Sequence, residues 1–295
     1  MRITDRMVIN HTISQLQQER QRLGDAQTRV ATGRRLLRPS DNPADVERAL
    51  TLASELATVQ NQATNLGTTR DWLNGTEAAL GNFNDLMIRA RNLALKAANS
   101  TNSDDELAAM ASEANGVLQN ALAIANTNQG GYYLFAGQQV RTAPFKEESN
   151  AIIYQGDNQE MRHLVELGQT MPVNITGVAG DHGGLLNGLT QLKALQQALT
   201  ANDQNGVQDF LKQSESVNKD IYVSLSTVGA RIQRIDRTAA RLQQRDVDLK
   251  QLYSNLVDAD MATTISEMNA EQQAYQMALA ASARAIPRSL LDYIR

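Results

Sequence analysis

Residues 42–97 read NPADVERALTLASELATVQNQATNLGTTRDWLNGTEAALGNFNDLMIRARNLALKA. Within them Ala49, Leu52, Leu56, Val59, Ala63 and Leu66 step by three and four in alternation. The alternation continues through Leu73, Leu80, Phe83, Met87, Ala90, Ala94 and Ala97, with Arg70 and Thr76 as polar interruptions. Apolar residues at this mean spacing form a single stripe, the pattern of helices packed as a coiled coil. Asn42 is placed to cap the helix, Pro43 suits its first position, and Asp45 and Glu47 complement the positive end of the dipole. A helix of this length extends about 75 Å. Gly67, Gly75 and Gly81 each cost about 1 kcal/mol against Ala, which predicts a kink or short break.

Outward from this helix the same period recurs. Ser103 can cap a second helix from Asp104 to about Asn126, with Leu107, Ala111, Ala114, Leu118, Ala121 and Ala125 as its stripe. Near the other end Ile221, Leu225, Val228, Ile232, Ile235, Ala239 and Leu242 alternate four and three, and Leu249, Tyr253 and Leu256 resume the register. A phase shift at Asp258 to Asp260 precedes Ile265, Met268, Gln272, Tyr275, Leu279, Ser282 and Ile286, and such a slip separates two packing environments. The first forty residues carry half a seam: Ile9, Leu16, Leu23 and Val30 are apolar, while the other side reads Ile13, Arg20, Gln27. Half a seam buries poorly in a two-helix pair and makes more sense when many copies pack around it.

Between about Gly137 and Gly188 the pattern changes. Residues 151–154 (AIIY), 163–167 (HLVEL) and 173–175 (VNI) are short β-type runs separated by glycine turns, which predicts a small antiparallel sheet of three to five strands leaning on the helices. The predicted class is mainly α: an elongated antiparallel helical rod or coiled coil from both termini, with a small inserted β module. The corresponding division is 1–41 and 258–295 as terminal coiled-coil helices, 42–137 and 189–257 as the helical body, and 138–188 as a β-rich outer part.

Composition narrows the function. Aromatics are 4% of 295 residues, with a single tryptophan, so the helices meet through small side chains. A formal charge of −4 argues against nucleic acid, and the absence of cysteine removes disulfides, thiolate metal sites and cysteine nucleophiles. The start, MRITDRMVINHTIS, has no apolar core or small-residue cleavage site, so no cleaved secretory signal is expected. Purely apolar runs reach five residues, against about 20 for a membrane span, so no membrane insertion is expected. His11, His163 and His182 lie far apart without metal-ligand spacing. Gly130-Gly131 precedes Tyr132-Tyr133 rather than opening a helix, so it reads as a tight turn and not a phosphate loop. Arg231, Arg234, Arg237, Arg241 and Arg245 recur on one helix, as a subunit interface or as a solvated face. No catalytic, metal or cofactor site emerges.

Several segments carry a resemblance. Gly33-Arg34-Arg35, Pro39-Ser40-Asp41-Asn42-Pro43-Ala44 and 76–80 (TEAAL) are similar to the amino-terminal region of the bacterial flagellin superfamily. Residues 125–128 (ANTN), 130–137 (GGYYLFAG) and Pro144-Phe145 resemble its hook-filament junction members, the hook-associated protein 3 family. Residues 258–262 (DADMA), Gln272 to Gln276 and 289–294 (SLLDYI) fit the same family. Asn42 stands where the family more often has a second Asp, and its side chain can still cap. The family-motif residues are Gly33, Arg34, Pro39, Ser40, Asp41, Pro43, Asp258 and Asp260. The resemblance implies an extracellular structural component at the hook-filament junction, exported without a cleaved signal by the flagellar export apparatus. It implies as partners other copies in a ring, the adjoining hook-associated protein, flagellin, and a cytoplasmic chaperone on the C-terminal helix. Ile9, Ile13, Leu16, Leu23 and Val30, with Ile265, Met268, Tyr275, Leu279, Ile286, Leu290 and Leu291, are the expected assembly interface. Flagellin itself is the alternative within the class, and an enzyme in the β module the alternative outside it.

Overall fold

The computed structural model describes residues 5–99, 103–148, 151–166, 168–175 and 184–285. It is mainly helical, with short antiparallel strand pairs, and divides into two compact units: Met1–Val59 with Gln244–Arg295, and Gln60–Gln243. Two helices, α2 (Pro43–Ala97) and α5 (Gln204–Val257), contribute to both. Among the described residues no helix is long and apolar enough to cross a membrane.

In the first unit α1 (Asp5–Thr32) lies against α6 (Met261–Ala285). The pair is antiparallel: Arg34 bridges Asp258, and Arg29 meets Glu267 at 3.6 Å. Asn42 caps α2 as its position predicts, its Oδ1 accepting from the Asp45 N–H at 3.2 Å and its Nδ2 donating to the Asp45 carboxylate at 2.8 Å.

In the second unit α3 (Asp104–Ala125) starts at a full capping box, with the Ser103 hydroxyl accepting from the Glu106 N–H and the Glu106 carboxylate accepting from the Ser103 N–H. Its predicted stripe is buried throughout. It packs on α4 (Leu185–Thr200), a leucine-rich helix mostly within the predicted helical body 189–257; no capping side chain precedes it, and Gly184 stands there with φ +52°. Gly188 of α4 is filled from outside: a Cβ there would lie 2.7 Å from the buried Phe83 ring and 3.1 Å from Val217. So the Phe83 ring of α2 and the Val217 side chain of α5 close directly onto the α4 backbone.

Two expectations are corrected here. α2 passes Gly67, Gly75 and Gly81 without a break. At Gly75 the missing Cβ leaves room for the Gln129 side chain, which donates to the Asp71 carbonyl at 3.2 Å. The seam also departs from the hydropathy stripe at a few steps, although Leu66, Leu73, Leu80, Phe83, Met87, Ala90, Ala94 and Ala97 of α2 and Ile221, Val228, Ile235, Leu242 and Leu249 of α5 are buried as that stripe predicts. On α2 the buried positions are Ala49, Val59, Leu66, Thr69, Leu73, Thr76, Ala79, Leu80, Phe83, Asn84, Met87, Ala90, Leu93, Ala94 and Ala97, with Ala63 and Arg70 exposed. On α5 they are Val207, Phe210, Ser214, Val217, Ile221, Ser224, Val228, Ile235, Thr238, Leu242, Leu249 and Val257, so Ser224 and Thr238 sit deeper than Leu225 and Ala239. Burial of these hydroxyls costs little because Thr69, Thr76 and Ser224 each donate to the carbonyl four residues back, at 2.8–2.9 Å.

The strands do not form the single sheet expected. Among the described residues they make three separate antiparallel pairs: β1 (Asn128–Gln129) with β2 (Tyr132–Tyr133), β3 (Phe145–Glu148) with β4 (Ala151–Tyr154), and β5 (Arg162–Glu166) with β6 (Gln169–Pro172). The first turns on Gly130 and Gly131, both at positive φ, as a two-residue hairpin with a primed turn requires. An isolated two-stranded hairpin is marginal, and each of these is held by a helix instead. Of the predicted strand 173–175, Val173 donates its N–H to the Met161 carbonyl at 2.8 Å, the Asn174 side chain accepts from the Met161 N–H at 2.8 Å, and all three residues are buried outside the named strands.

Candidate assembly interface

The motif residues of the two chain ends meet. Between α1 and α2 the chain turns at Gly33, at φ +66°, where a Cβ would be strained. Between α5 and α6 it passes Asp258 to Asp260. The Arg35 N–H donates to the Val257 carbonyl at 2.7 Å, and the Ala259 N–H donates to the Gly33 carbonyl at 2.8 Å. The Arg35 guanidinium adds bonds to the Leu256 carbonyl at 2.8 Å and the Asp45 carboxylate at 2.9 Å. Gly33, Arg34 and Asp258 therefore belong to one backbone junction. Sequence reading ranked Arg35 only as a motif neighbour, yet it holds both α2 and α5.

Asp41 and Asp260 shape the connections. One Asp41 oxygen accepts from the Leu37 and Arg38 N–H groups at 3.0 and 2.9 Å, folding the loop around Pro39 and Ser40, which are exposed. These N–H groups, Arg38 first and then Leu37, hold the Asp41 carboxyl below its usual range. Pro43 takes the first position of α2. Asp260 caps α6, accepting from the Ala262 N–H at 2.9 Å and the Thr263 hydroxyl at 3.1 Å, and its carboxyl is lowered chiefly by the Ala262 N–H.

The terminal helices divide the predicted interface residues into two sets. Facing inward in the α1–α6 pair are Leu16, Leu23 and Val30 with Met268 and Tyr275, all half-buried. Their company is small or polar: among the described residues Ala26 is the buried apolar residue of α1, and Thr264 and Ser282 are the buried positions of α6. Ile13, Ile265 and Leu279 point away, at 47%, 42% and 44% exposure, alongside Met7, Met261 and Met277. The Ile9 side chain and residues Ile286, Leu290 and Leu291 lie outside the described residues. A pair that sequesters so little apolar surface leaves an apolar face unpartnered within the unit.

In the second unit the motif residues lock the hairpins to helices. Asn126, ending α3, clamps the backbone of Phe145: Nδ2 donates to its carbonyl at 2.8 Å and Oδ1 accepts from its N–H at 2.9 Å. Gly137, at φ +68°, sits where a Cβ would strike Asp157, whose Oδ1 accepts from the Gln138 N–H at 2.7 Å. The Tyr154 hydroxyl reaches the Phe135 and Asp157 carbonyls at 3.0 and 2.9 Å. Glu147 accepts from Lys193 of α4 at 2.8 Å and Gln119 of α3 at 3.1 Å, and Lys193 foremost holds its carboxyl low.

Four of the α5 arginines make contacts within the chain, while the exposed Arg237 stays on its own helix, its Nε donating to the Gln233 carbonyl at 3.2 Å. Arg231 donates to the Asn174 carbonyl at 3.1 Å, Arg234 to Gln169 at 3.0 Å, and Arg241 to Glu166 at 3.2 Å, all onto β6, β5 or the segment after them. Arg245, in the first unit, pairs with Glu55 at 3.4 Å. On the opposite side His163 of β5 shares a 2.8 Å hydrogen bond with the seam hydroxyl of Thr69, and burial pushes its pKa down. Because that hydroxyl already donates to the Asn65 carbonyl, it accepts from Nδ1–H, which selects the Nδ1-protonated imidazole. His11 is exposed, and His182 lies outside the described residues.

Comparison with known proteins agrees with this construction. The model of the bacterial flagellin N-terminal helical region matches residues 3–140, and that of the C-terminal helical region matches residues 211–294; together they take in about three quarters of the chain. The flagellar hook-associated protein 3 of Escherichia coli is 28% identical over 275 residues, 84% of this chain and 85% of that protein. Flagellin FlaB1 of Treponema pallidum is 24% identical over 304 residues, 98% of this chain and all of that one. The structure of a putative flagellar hook-associated protein from Vibrio parahaemolyticus superposes with a TM-score of 0.68 at 22% identity, covering 74% of this chain and 100% of that one.

Proposed function

The chain belongs to the bacterial flagellin family and is a structural component of the flagellum, and from that membership we propose that it is the adaptor joining the hook to the flagellin filament. The observation that carries the assembly role is the α1–α6 pair, which buries few large apolar side chains and leaves Ile13, Ile265 and Leu279 outward. In a ring these side chains pack against neighbouring copies, with Leu16, Leu23, Val30, Met268 and Tyr275 closing the pair within each copy.

The same arithmetic couples folding to assembly. Ordering a residue costs about 1–2 kcal/mol, and a seam of Ala, Thr, Ser and half-buried Leu offsets little of that in an isolated pair. Among the described residues, 5–38 and 258–285 therefore hold their packing fully only when neighbours supply a second apolar surface, which restrains polymerisation before export. On this reading a cytoplasmic chaperone covers the C-terminal helix, the flagellar export apparatus carries the chain out, and residues 138–188 face outward. The adjoining hook-associated protein and flagellin are its neighbours along the axis.

Flagellin is the second reading, favoured by the full-length similarity to FlaB1. Immunogold electron microscopy of intact cells, with antibody raised against residues 138–188, separates the two. Label in a narrow band where hook meets filament is expected. Label along the whole filament makes the chain a flagellin, and an unlabelled appendage refutes both.

A further inference from the structure

A groove of about 1150 Å³ in the second unit lies between α2, β6 and α5. Three of its large apolar side chains are open to solvent: Ile88 at 41%, Tyr222 at 53% and Val223 at 52% exposure. Arg91, Lys219, Arg231 and Arg234 line it against the single carboxylate of Glu215. Arg231 and Arg234 are held by Asn174 and Gln169, while Arg91 and Lys219 have no carboxylate partner among the described residues. The buried Oδ1 of Asn218, also in the lining, accepts no hydrogen bond there. Apolar side chains ringed by charge, with an acceptor left open, are the makings of a protein contact rather than of a solvated surface.

The charge decides what fits. Four cations against one carboxylate put the groove at +3, and the whole chain carries −4, so the rest of the molecule carries −7. Two grooves facing each other would set like charges together, so the groove does not pair with the same groove of a neighbour. A groove at +3 meeting a different, acidic face of an identical chain is favourable. Repeated from copy to copy, such a head-to-tail contact generates rings or helices.

We infer that this groove receives an acidic face of a second copy of the chain, as the lateral contact between neighbours in the assembled ring. The contact rests on the ring proposed above and lies apart from the terminal helices, so it supplies a second, charge-steered layer of subunit contact.

The test uses the full chain in cells, with Tyr222→p-benzoylphenylalanine as photocrosslinker, read by adduct mass and peptide mapping, with immunogold labelling of the same cells. An adduct of twice the monomer mass is expected, joining residue 222 to an acid-bearing segment of another copy. Its yield should fall at least tenfold in the Arg91→Glu/Lys219→Glu background, with unchanged circular dichroism of the purified chain. Adducts only to another flagellar protein, no adduct, or a yield indifferent to the charge reversal each overturn the groove contact. A junction band that persists then shows that the adaptor reading survives. A self-adduct without the band retains the contact and overturns the adaptor reading.

Discussion

Asn126→Ala removes the clamp that fixes β3 to the end of α3. Both bonds go to the main chain of Phe145, whose side chain is 2% exposed and whose ring stacks at 5.3 Å on Tyr154. The substitution leaves one N–H and one carbonyl without partners. At about 1–3 kcal/mol for each unsatisfied buried group, discounted for water entering from the exposed side of β3, the loss should be about 2–4 kcal/mol. Asn126→Asp keeps the acceptor but sets a carboxylate oxygen against the Phe145 carbonyl, so it should lose at least as much. Trp72 is the chain's single tryptophan and belongs to the second unit, so its emission during urea unfolding reports that unit alone. With a urea slope of about 2 kcal/mol/M, the midpoint should fall by about 1–2 M in each variant. A midpoint within about 0.3 M of the parent for either one refutes the clamp.

Other outcomes follow from the same geometry. His163 is neutral in the fold because burial lowers its pKa below the ordinary 6.5; its contribution is fully present above that value and lost as pH falls through the lowered one. The Trp72 urea midpoint should therefore drop between pH 7.5 and 5, and drop less in His163→Gln. Gly188→Ala should destabilise the second unit, because overpacking against Phe83 and Val217, about 1–3 kcal/mol, outweighs the gain of about 1 kcal/mol in helix propensity; an unchanged midpoint would remove the close-packing argument. Ile13→Asp and Leu279→Asp, each exposed in the pair, should leave the Trp72 transition unmoved while abolishing the junction band. Retained assembly in both would mean that these faces carry no subunit contact.

What the sequence disclosed depended on how many residues competed for each position. On α3 the cap and six of the seven buried residues follow from the spacing of Ala and Leu, and Val117, adjacent to Leu118, is the buried residue that a single stripe leaves out. On α2 and α5 a 3.6-residue period admits either the third or the fourth residue at each step. Hydropathy chose Ala63, Leu225 and Ala239, whereas packing chose the half-buried Gln62 and the buried Ser224 and Thr238. A seryl or threonyl hydroxyl bonded to its own helix is nearly as easy to bury as alanine, and a hydropathy scale does not register that. α4 lies mostly within the predicted helical body 189–257 but starts earlier, at Leu185, where no capping side chain marks it. The division into three hairpins escaped notice because each is held by a helix residue distant in sequence, such as Asn126, Thr69 or Arg241. At the chain ends the motif residues were recognisable, but that Gly33 and Asp258 share one junction follows only from hydrogen bonds between segments more than two hundred residues apart.

That junction has a mechanical consequence. A flagellum under load strains its subunits, and a pull on α1 enters the chain at Gly33. There the load meets two short backbone bonds, Arg35 to Val257 and Ala259 to Gly33, reinforced by the Arg35 side chain. Force can thus cross directly to the α5–α6 connection and leave through α6. Residues 60–243 are bypassed, like a component wired in parallel with a short circuit, and that unit can vary in shape without carrying the tension of the whole.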